Sequence, residues 1–214
     1  MAKAKNVVIL CSDIWRSNHF STYFTPKFEQ NNFEVRPMSY SISNRNLSVD
    51  KIADMNLGWA KHIRDRSKTV TFVGHGMGGR IGMAMLAKDP VIFDAFVSIA
   101  TSYKQSSVID SVSQIELFRD ILEASYPLAK ELRKDATVPQ ELKIPALSIA
   151  AQFDAFFGRD ATSPIIETHT TIPFTTHTSV VKKERTFLEI LGWMNYTFIN
   201  KQFGGKDIDD VLYN

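Results

Sequence analysis

The chain has 214 residues, of which 44% are hydrophobic and 22% are charged, a composition typical of one globular domain with a sizeable core. Its formal charge is only +2 and no basic block is interleaved with aromatic residues, which argues against nucleic acid as a partner. The single cysteine, Cys11, excludes an intramolecular disulfide framework and a cysteine-based zinc site. The apolar run that ends at Cys11 is too short for a signal peptide or a membrane span. We therefore expect a cytoplasmic protein without stable membrane insertion.

Short apolar runs alternate along the chain with stretches of helical periodicity, the pattern of a mostly parallel sheet with helices on both faces. In chain order, the predicted elements are a strand at 7–11, a helix at about 20–30, a strand at 33–38, a helix at 49–65, a strand at 70–73, a helix at 77–88, strands at 93–100 and 146–151, and a helix at 186–199. The sequence predicts a single α/β domain over residues 1–214. The mixed polar and helical stretch at about 104–140 is the expected lid or cap insertion, and 204–214 is expected to be a loosely held tail.

One short motif carries most of the functional signal. The strand at 70–73 runs into the sequence GHGMGG at 74–79 and then into an apolar helix. This is the pattern of a nucleophile elbow, a tight turn that needs small residues two positions before and after its centre, here Gly74 and Gly78. The central residue is Gly76, which has no side chain with which to attack a carbonyl. Glycine adopts positive φ without cost, so the turn itself should form. A phosphate-binding turn is the alternative, although the string is neither a Walker A motif nor GxGxxG.

On these residues the sequence resembles the α/β-hydrolase superfamily, in particular its small lipases, esterases and thioesterases. The resemblance spans nearly the whole chain and implies the α/β-hydrolase fold, with the chain order nucleophile, acid, histidine. It implies Asp154 as the acid, with Asp160 in the same loop as the rival, and His177 as the histidine in preference to His169. In such a site the imidazole removes a proton while the carboxylate fixes its tautomer.

The resemblance also implies an oxyanion hole. One donor is the backbone amide of Met77, and the second belongs to the loop after the first strand, at Ser12 or Asp13. That loop departs from the His-Gly sequence common among relatives, which leaves the second donor open. Cys11 lies at the end of the same strand. Two roles are open for it: a relocated nucleophile, or a small hydrophobic residue buried in the core.

Side chains near the expected mouth of the site are the candidates for substrate binding, although ordinary packing is an equal alternative for each. They are Trp15, His75, Phe153 and Phe156, with Tyr126 and Phe157 nearby.

Three functions remain open from the sequence. The first is an ester or thioester hydrolase acting on a small-molecule acyl substrate, inactive or disarmed because Gly76 stands at the nucleophile position. The second is a natural variant in which His177 and Asp154 perform non-covalent general-base chemistry of a lyase or cyclase type. The third is a non-catalytic protein that binds a small ligand. The resemblance implies no metal and no organic cofactor.

Overall fold

The structure, a computed structural model, describes residues 5–14, 17–41, 44, 46–154 and 165–202. The strands are β1 (Asn6–Cys11), β2 (Glu34–Met38), β3 (Thr69–His75), β4 (Ala95–Ile99), β5 (Ala146–Ala151) and β6 (Thr168–Ile172). The α-helices are α1 (Ser17–Gln30), α2 (Val49–Arg64), α3 (Met77–Lys88), α4 (Ser107–Ser113), α5 (Glu116–Ser125) and α6 (Glu184–Gln202). Two 3₁₀ segments, Pro127–Arg133 and Val180–Lys182, complete the described elements. The predicted tail at 204–214 lies outside these residues.

The six strands form one sheet in the order β2-β1-β3-β4-β5-β6, and every described pairing is parallel. The order reverses at β1, which lies between β2 and β3. In parallel α/β sheets a crevice opens at the carboxyl ends of the strands on either side of such a reversal. Cys11 pairs with Gly74 there, so the loops after β1 and β3 emerge side by side. The topology thus brings the predicted turn at 74–79 next to the loop that follows β1.

Apolar side chains cover both faces of the sheet, which confirms the predicted layer arrangement. On one face α2 and α3 contribute Ile52, Ala53, Ile81 and Met85 to a buried cluster. On the other face, α1 presents residues at helical spacing, and its Phe24 and Phe28 rings contact Phe187 of α6 with centroid distances of 6.1 and 5.2 Å. Within the described residues, no helix has the length and hydropathy needed to cross a bilayer.

The strand predicted at 93–100 is shorter in the structure, for two local reasons. At its start, the Asp94 carboxylate accepts a hydrogen bond from the Val70 amide, which leaves Asp94 outside the strand. At its end, Ala100 has a φ of 46°, a conformation that a strand cannot contain. The other predicted elements agree with the structure to within a few residues at each end.

The segment between β4 and β5 is held to helix α3 by the side chain of Arg80. This side chain is 1% exposed, and its guanidinium donates to the backbone carbonyls of Ser102, Lys104, Glu131 and Lys134 at 2.6 to 2.8 Å. Burial lowers the pKa of Arg80 to about 10, so the group stays charged at neutral pH. The insertion is therefore tied to the helix that follows the turn at 74–79. A role as a lid remains a prediction.

Candidate active site

The turn between β3 and α3 brings three backbone segments into close contact. Gly76 has φ 53° and ψ −116°, a conformation that side-chain-bearing residues rarely adopt. A Cβ on Gly78 would lie 2.1 Å from the Cys11 carbonyl oxygen, and one on Gly74 would lie 2.5 Å from the Gly79 nitrogen. Gly78 must be small because α3 begins in direct contact with the end of β1, and Gly74 must be small because the backbone of the first turn of α3 lies against it.

The predicted histidine and acid lie together at the carboxyl edge of the sheet. Asp154 follows β5, and His177 lies in the loop between β6 and α6. His177 Nδ1 is 2.9 Å from Asp154 Oδ2, and both side chains are almost completely buried. A carboxylate at this distance accepts the Nδ1 proton and directs Nε2 away from itself.

The Nε2 atom of His177 points to Asp13, whose carboxylate fills the space beside Gly76. Asp13 Oδ2 is 2.9 Å from Nε2, while Oδ1 accepts a hydrogen bond from the Met77 amide at 2.8 Å. A Cβ on Gly76 would lie 2.4 Å from Asp13 Cγ. The Asp13 side chain therefore occupies the position that a side chain at residue 76 would need.

The side chain of Asp13 has a role that the sequence does not predict. The resemblance implies a backbone N–H donor at residue 12 or 13, whereas in the structure the Asp13 side chain enters the site and accepts from the Met77 amide. Two features together could have signalled the arrangement: an acidic residue just after β1, and a glycine at the centre of the neighbouring turn. Neither feature is informative without the other.

Charge distribution in the site follows from the two carboxylates that flank one imidazole. Burial lowers the pKa of His177, but the hydrogen bonds and charges of Asp13 and Asp154 outweigh it and raise the pKa to about 9. Burial raises the pKa of Asp13, but the hydrogen bond and charge of His177 outweigh it, so the net pKa is lowered. At neutral pH the site therefore holds an imidazolium and an ionised Asp13.

His75 supports the loop that carries His177. Its Nε2 donates to the His177 carbonyl oxygen at 2.9 Å, and the two rings lie 4.8 Å apart. Burial, followed by the charge of His177, lowers the pKa of His75 to about 4, which keeps it neutral. It is 4% exposed. This placement fits a residue that positions His177 better than the substrate-binding role considered from the sequence.

The other residues that the sequence suggests for the site lie in different environments. Ser12 is buried and its carbonyl oxygen accepts from the Tyr40 hydroxyl at 2.7 Å. Cys11 is fully buried, and burial together with the charge of Asp13 raises the pKa of its thiol, which disfavours the thiolate that a nucleophile needs. Phe153 and His169 are exposed. Trp15, Phe156, Phe157 and Asp160 lie outside the described residues. In the part of the chain that the structure describes, no group of three His, Cys, Asp or Glu side chains is arranged to hold a metal.

The sequence matches no protein-family model and no curated protein. Solved structures do match. MenH from S. aureus aligns with a TM-score of 0.68 at 18% identity, covering 92% of this chain and 96% of that one. A carboxylesterase of the thaumarchaeon Nitrososphaera gargenis aligns with a TM-score of 0.64 at 15% identity, covering 92% of both chains. The type II thioesterase YbtT from the yersiniabactin pathway aligns with a TM-score of 0.64 at 14% identity, covering 89% of this chain and 93% of that one.

Structural similarity at such low sequence identity shows the fold of this chain but not the reaction that it performs. The parallel sheet, the turn at Gly76 and the coverage of these structures lead to one conclusion. This chain is a protein of the α/β-hydrolase fold.

Proposed function

We propose that the site is that of an ester or thioester hydrolase in which Gly76 has replaced the nucleophile, so that the serine route is closed in this sequence. The observation that carries the proposal is the convergence of the His177–Asp154 pair and the Met77 amide on the space beside Gly76. An acyl-transfer site needs an oriented imidazole and a backbone N–H directed at the same reacting atom. The substrate would be a small acyl ester or thioester.

The simplest restoration, Gly76→Ser alone, is blocked by sterics. A serine Cβ at this position would lie 2.4 Å from Asp13 Cγ and 2.5 Å from Oδ1. The Asp13 carboxylate would also keep its hold on His177 Nε2 and on the Met77 amide, the two groups that a serine mechanism requires. The informative variant is therefore the double substitution Asp13→Ala with Gly76→Ser.

The test compares four proteins: the unaltered chain, Gly76→Ser, Asp13→Ala and the double variant. Each is assayed with p-nitrophenyl acetate, butyrate and octanoate, with an acyl thioester, and with a fluorophosphonate probe. We expect ester cleavage and probe labelling in the double variant, and their loss when His177→Ala or Asp154→Asn is added. If the folded double variant neither cleaves nor becomes labelled, the site is not a disarmed serine hydrolase.

General-base chemistry by the His177–Asp154 pair is the second candidate. In the resting site His177 Nε2 is hydrogen-bonded to Asp13, and the pKa near 9 holds the imidazole in its protonated form at neutral pH. A base must carry a free lone pair, so this candidate requires that Asp13 first lose its charge or leave the site. Ester or thioester hydrolysis by a restored serine needs only the substitutions above.

A further inference from the structure

A cavity lies at the end of the sheet opposite to the candidate active site. It has a volume of about 520 Å³ and is formed by the amino ends of β1 and β2 together with the last turns of α2. Val7 and Glu34, which are paired in the sheet, line it, whereas Asp13 and His177 lie beyond the carboxyl ends of the strands. At about 3.3 Å per residue, β1 alone separates the two ends by roughly 15 Å. The cavity is therefore separate from the candidate active site.

The cavity is open because α2 does not cover the edge strand β2. The helix packs against α3 and β3, and Arg64 at its end pairs with Asp94, just before β4, at 3.1 Å. The side chains of Glu34 and Arg36 share a face of β2 with Met38, which belongs to the buried cluster on the side of α2. These two charged side chains of β2 are thus left to line a space that the helix does not fill.

Cationic side chains outnumber acidic ones in the cavity. Lys5, Arg36 and Arg66 line it, against the single carboxylate of Glu34. Glu34 pairs with Arg36 and lies 3.9 Å from Lys5, so two cations share one negative charge. The lining keeps an excess of two positive charges when His62 is neutral. An excess of this kind in a concave surface attracts an anion.

The Arg66 guanidinium is the cation of the cavity that is left for another partner. Its Nη1 atom donates to His62 Nε2 at 2.6 Å, a contact that requires a neutral imidazole because arginine has no acceptor. Among the residues that the structure describes, no carboxylate lies within ion-pair distance of Arg66. A guanidinium binds the oxygens of a phosphate through paired N–H donors, a geometry that lysine cannot provide.

An indole ring forms one wall of the cavity. Trp59 is 37% exposed, and it lies at helical spacing from Ile63 and Arg66 on the side of the helix that lines the cavity. A partly exposed indole offers a flat surface on which planar aromatic rings stack. Val7 and Ile63 add apolar surface beside it. The cavity thus combines a stacking surface with an anion-binding wall.

We propose that this cavity binds a phosphate monoester carried by a planar aromatic group, with nucleoside 5′-monophosphates as the matching class. Trp59 stacks on the base, while Arg36 and Arg66 bind the phosphate. A phosphate monoester carries close to two negative charges at neutral pH, which matches the excess of positive charge in the lining. The volume lies in the range of small-molecule sites. This inference goes beyond the proposed function and concerns binding alone, so the two stand or fall separately.

Titration of the unaltered chain tests the class of ligand. AMP, GMP and 4-nitrophenyl phosphate are compared by calorimetry with adenosine, ribose 5-phosphate and inorganic phosphate, each of which lacks either the phosphate or the ring. We expect dissociation constants below about 1 mM for the first three compounds and at least about tenfold weaker binding of the others. AMP should also quench tryptophan fluorescence, and the quenching should disappear in Trp59→Phe but persist in Trp193→Phe. Absence of binding at about 5 mM AMP, GMP and 4-nitrophenyl phosphate would overturn the proposal, as would equally tight binding of inorganic phosphate.

Charge variants test whether AMP binds in this cavity. Arg36→Gln and Arg66→Gln should each weaken AMP binding about five- to tenfold, because each removes a charged donor to the phosphate. Glu34→Gln should strengthen binding about threefold, since it removes the one carboxylate that repels the phosphate. Arg119→Gln on α5 is the matched control for the loss of one positive charge and should bind AMP as the unaltered chain does. None of the replaced side chains is buried, so the variants should keep the fold. Equal affinity in all four variants would show that AMP binds elsewhere and would overturn the proposal.

Discussion

Asp13 and residue 76 compete for one volume, since Asp13 Cγ lies 2.4 Å from the point where a Cβ of residue 76 would stand. The carboxylate can reach His177 and the Met77 amide only because residue 76 is glycine. A substitution at either position therefore changes what is possible at the other.

This relationship predicts strong coupling in stability. We expect Gly76→Ala to destabilise the fold by about 2–4 kcal/mol, because the new Cβ overlaps Asp13 and the backbone has positive φ. Combining it with Asp13→Ala should recover about 1–3 kcal/mol of that loss. Chemical denaturation of the two single variants and the double variant measures the coupling. Strict additivity of the two effects would contradict the observed overlap.

Stability should fall as the solution becomes alkaline. Folding raises the pKa of His177 from 6.5 to about 9. The contribution of protonated His177 to the free energy of unfolding is therefore fully present below pH 6.5 and is lost as the pH rises through 9. The total change is on the order of 3 kcal/mol. Denaturant unfolding between pH 6 and 9.5 measures it, with Asp13→Asn as the comparison. We expect a shallower pH dependence in that variant, and equal slopes would show that Asp13 does not hold the proton on His177.

Arg80 should control how firmly the insertion between β4 and β5 is held. Lysine at this position retains the charge but cannot serve the four carbonyls at once, so Arg80→Lys should destabilise the protein by about 2–4 kcal/mol. Trypsin should also cleave faster between residues 104 and 134. Arg185→Lys on the exposed face of α6 is the matched control and should stay within about 0.5 kcal/mol of the unaltered chain. Unchanged cleavage in Arg80→Lys would mean that other contacts hold the insertion.

Two glycines in helices should respond in opposite directions to alanine. Gly78→Ala should cost about 3 kcal/mol, because the added Cβ would meet the Cys11 carbonyl oxygen at 2.1 Å and has no rotamer with which to avoid it. Gly58→Ala in α2 meets no atom within 4 Å and should stabilise the chain by about 0.5–1 kcal/mol. Thermal unfolding of both variants provides the comparison. A tolerated Gly78→Ala would rule out the close approach of α3 to β1.

Much of the fold follows from local sequence patterns. Apolar runs predict β1 to β5, and three- and four-residue spacing predicts α2, because burial on a pleated or helical surface imposes those periods. The helix α3 is predicted from the apolar run that follows the glycine turn, and β6, with the sequence THTTI, has no apolar run to mark it. The boundaries of β4 escaped prediction, since they depend on the Asp94 hydrogen bond and on the backbone of Ala100, neither of which leaves a mark in hydrophobic periodicity.

The glycine at residue 76 and the spacing that makes a tight turn around it can be read from the sequence, and the resemblance to the α/β-hydrolases implies Asp154 and His177 as the acid and the histidine. The group that fills the space beside Gly76 follows only from the three-dimensional fold. Asp13 lies 164 residues from His177 along the chain, and the two side chains meet because β1 and β3 are neighbours while the loop after β6 reaches the same edge of the sheet. The direction of a loop side chain depends on the volume and charge that distant segments leave around it, and no local pattern encodes that.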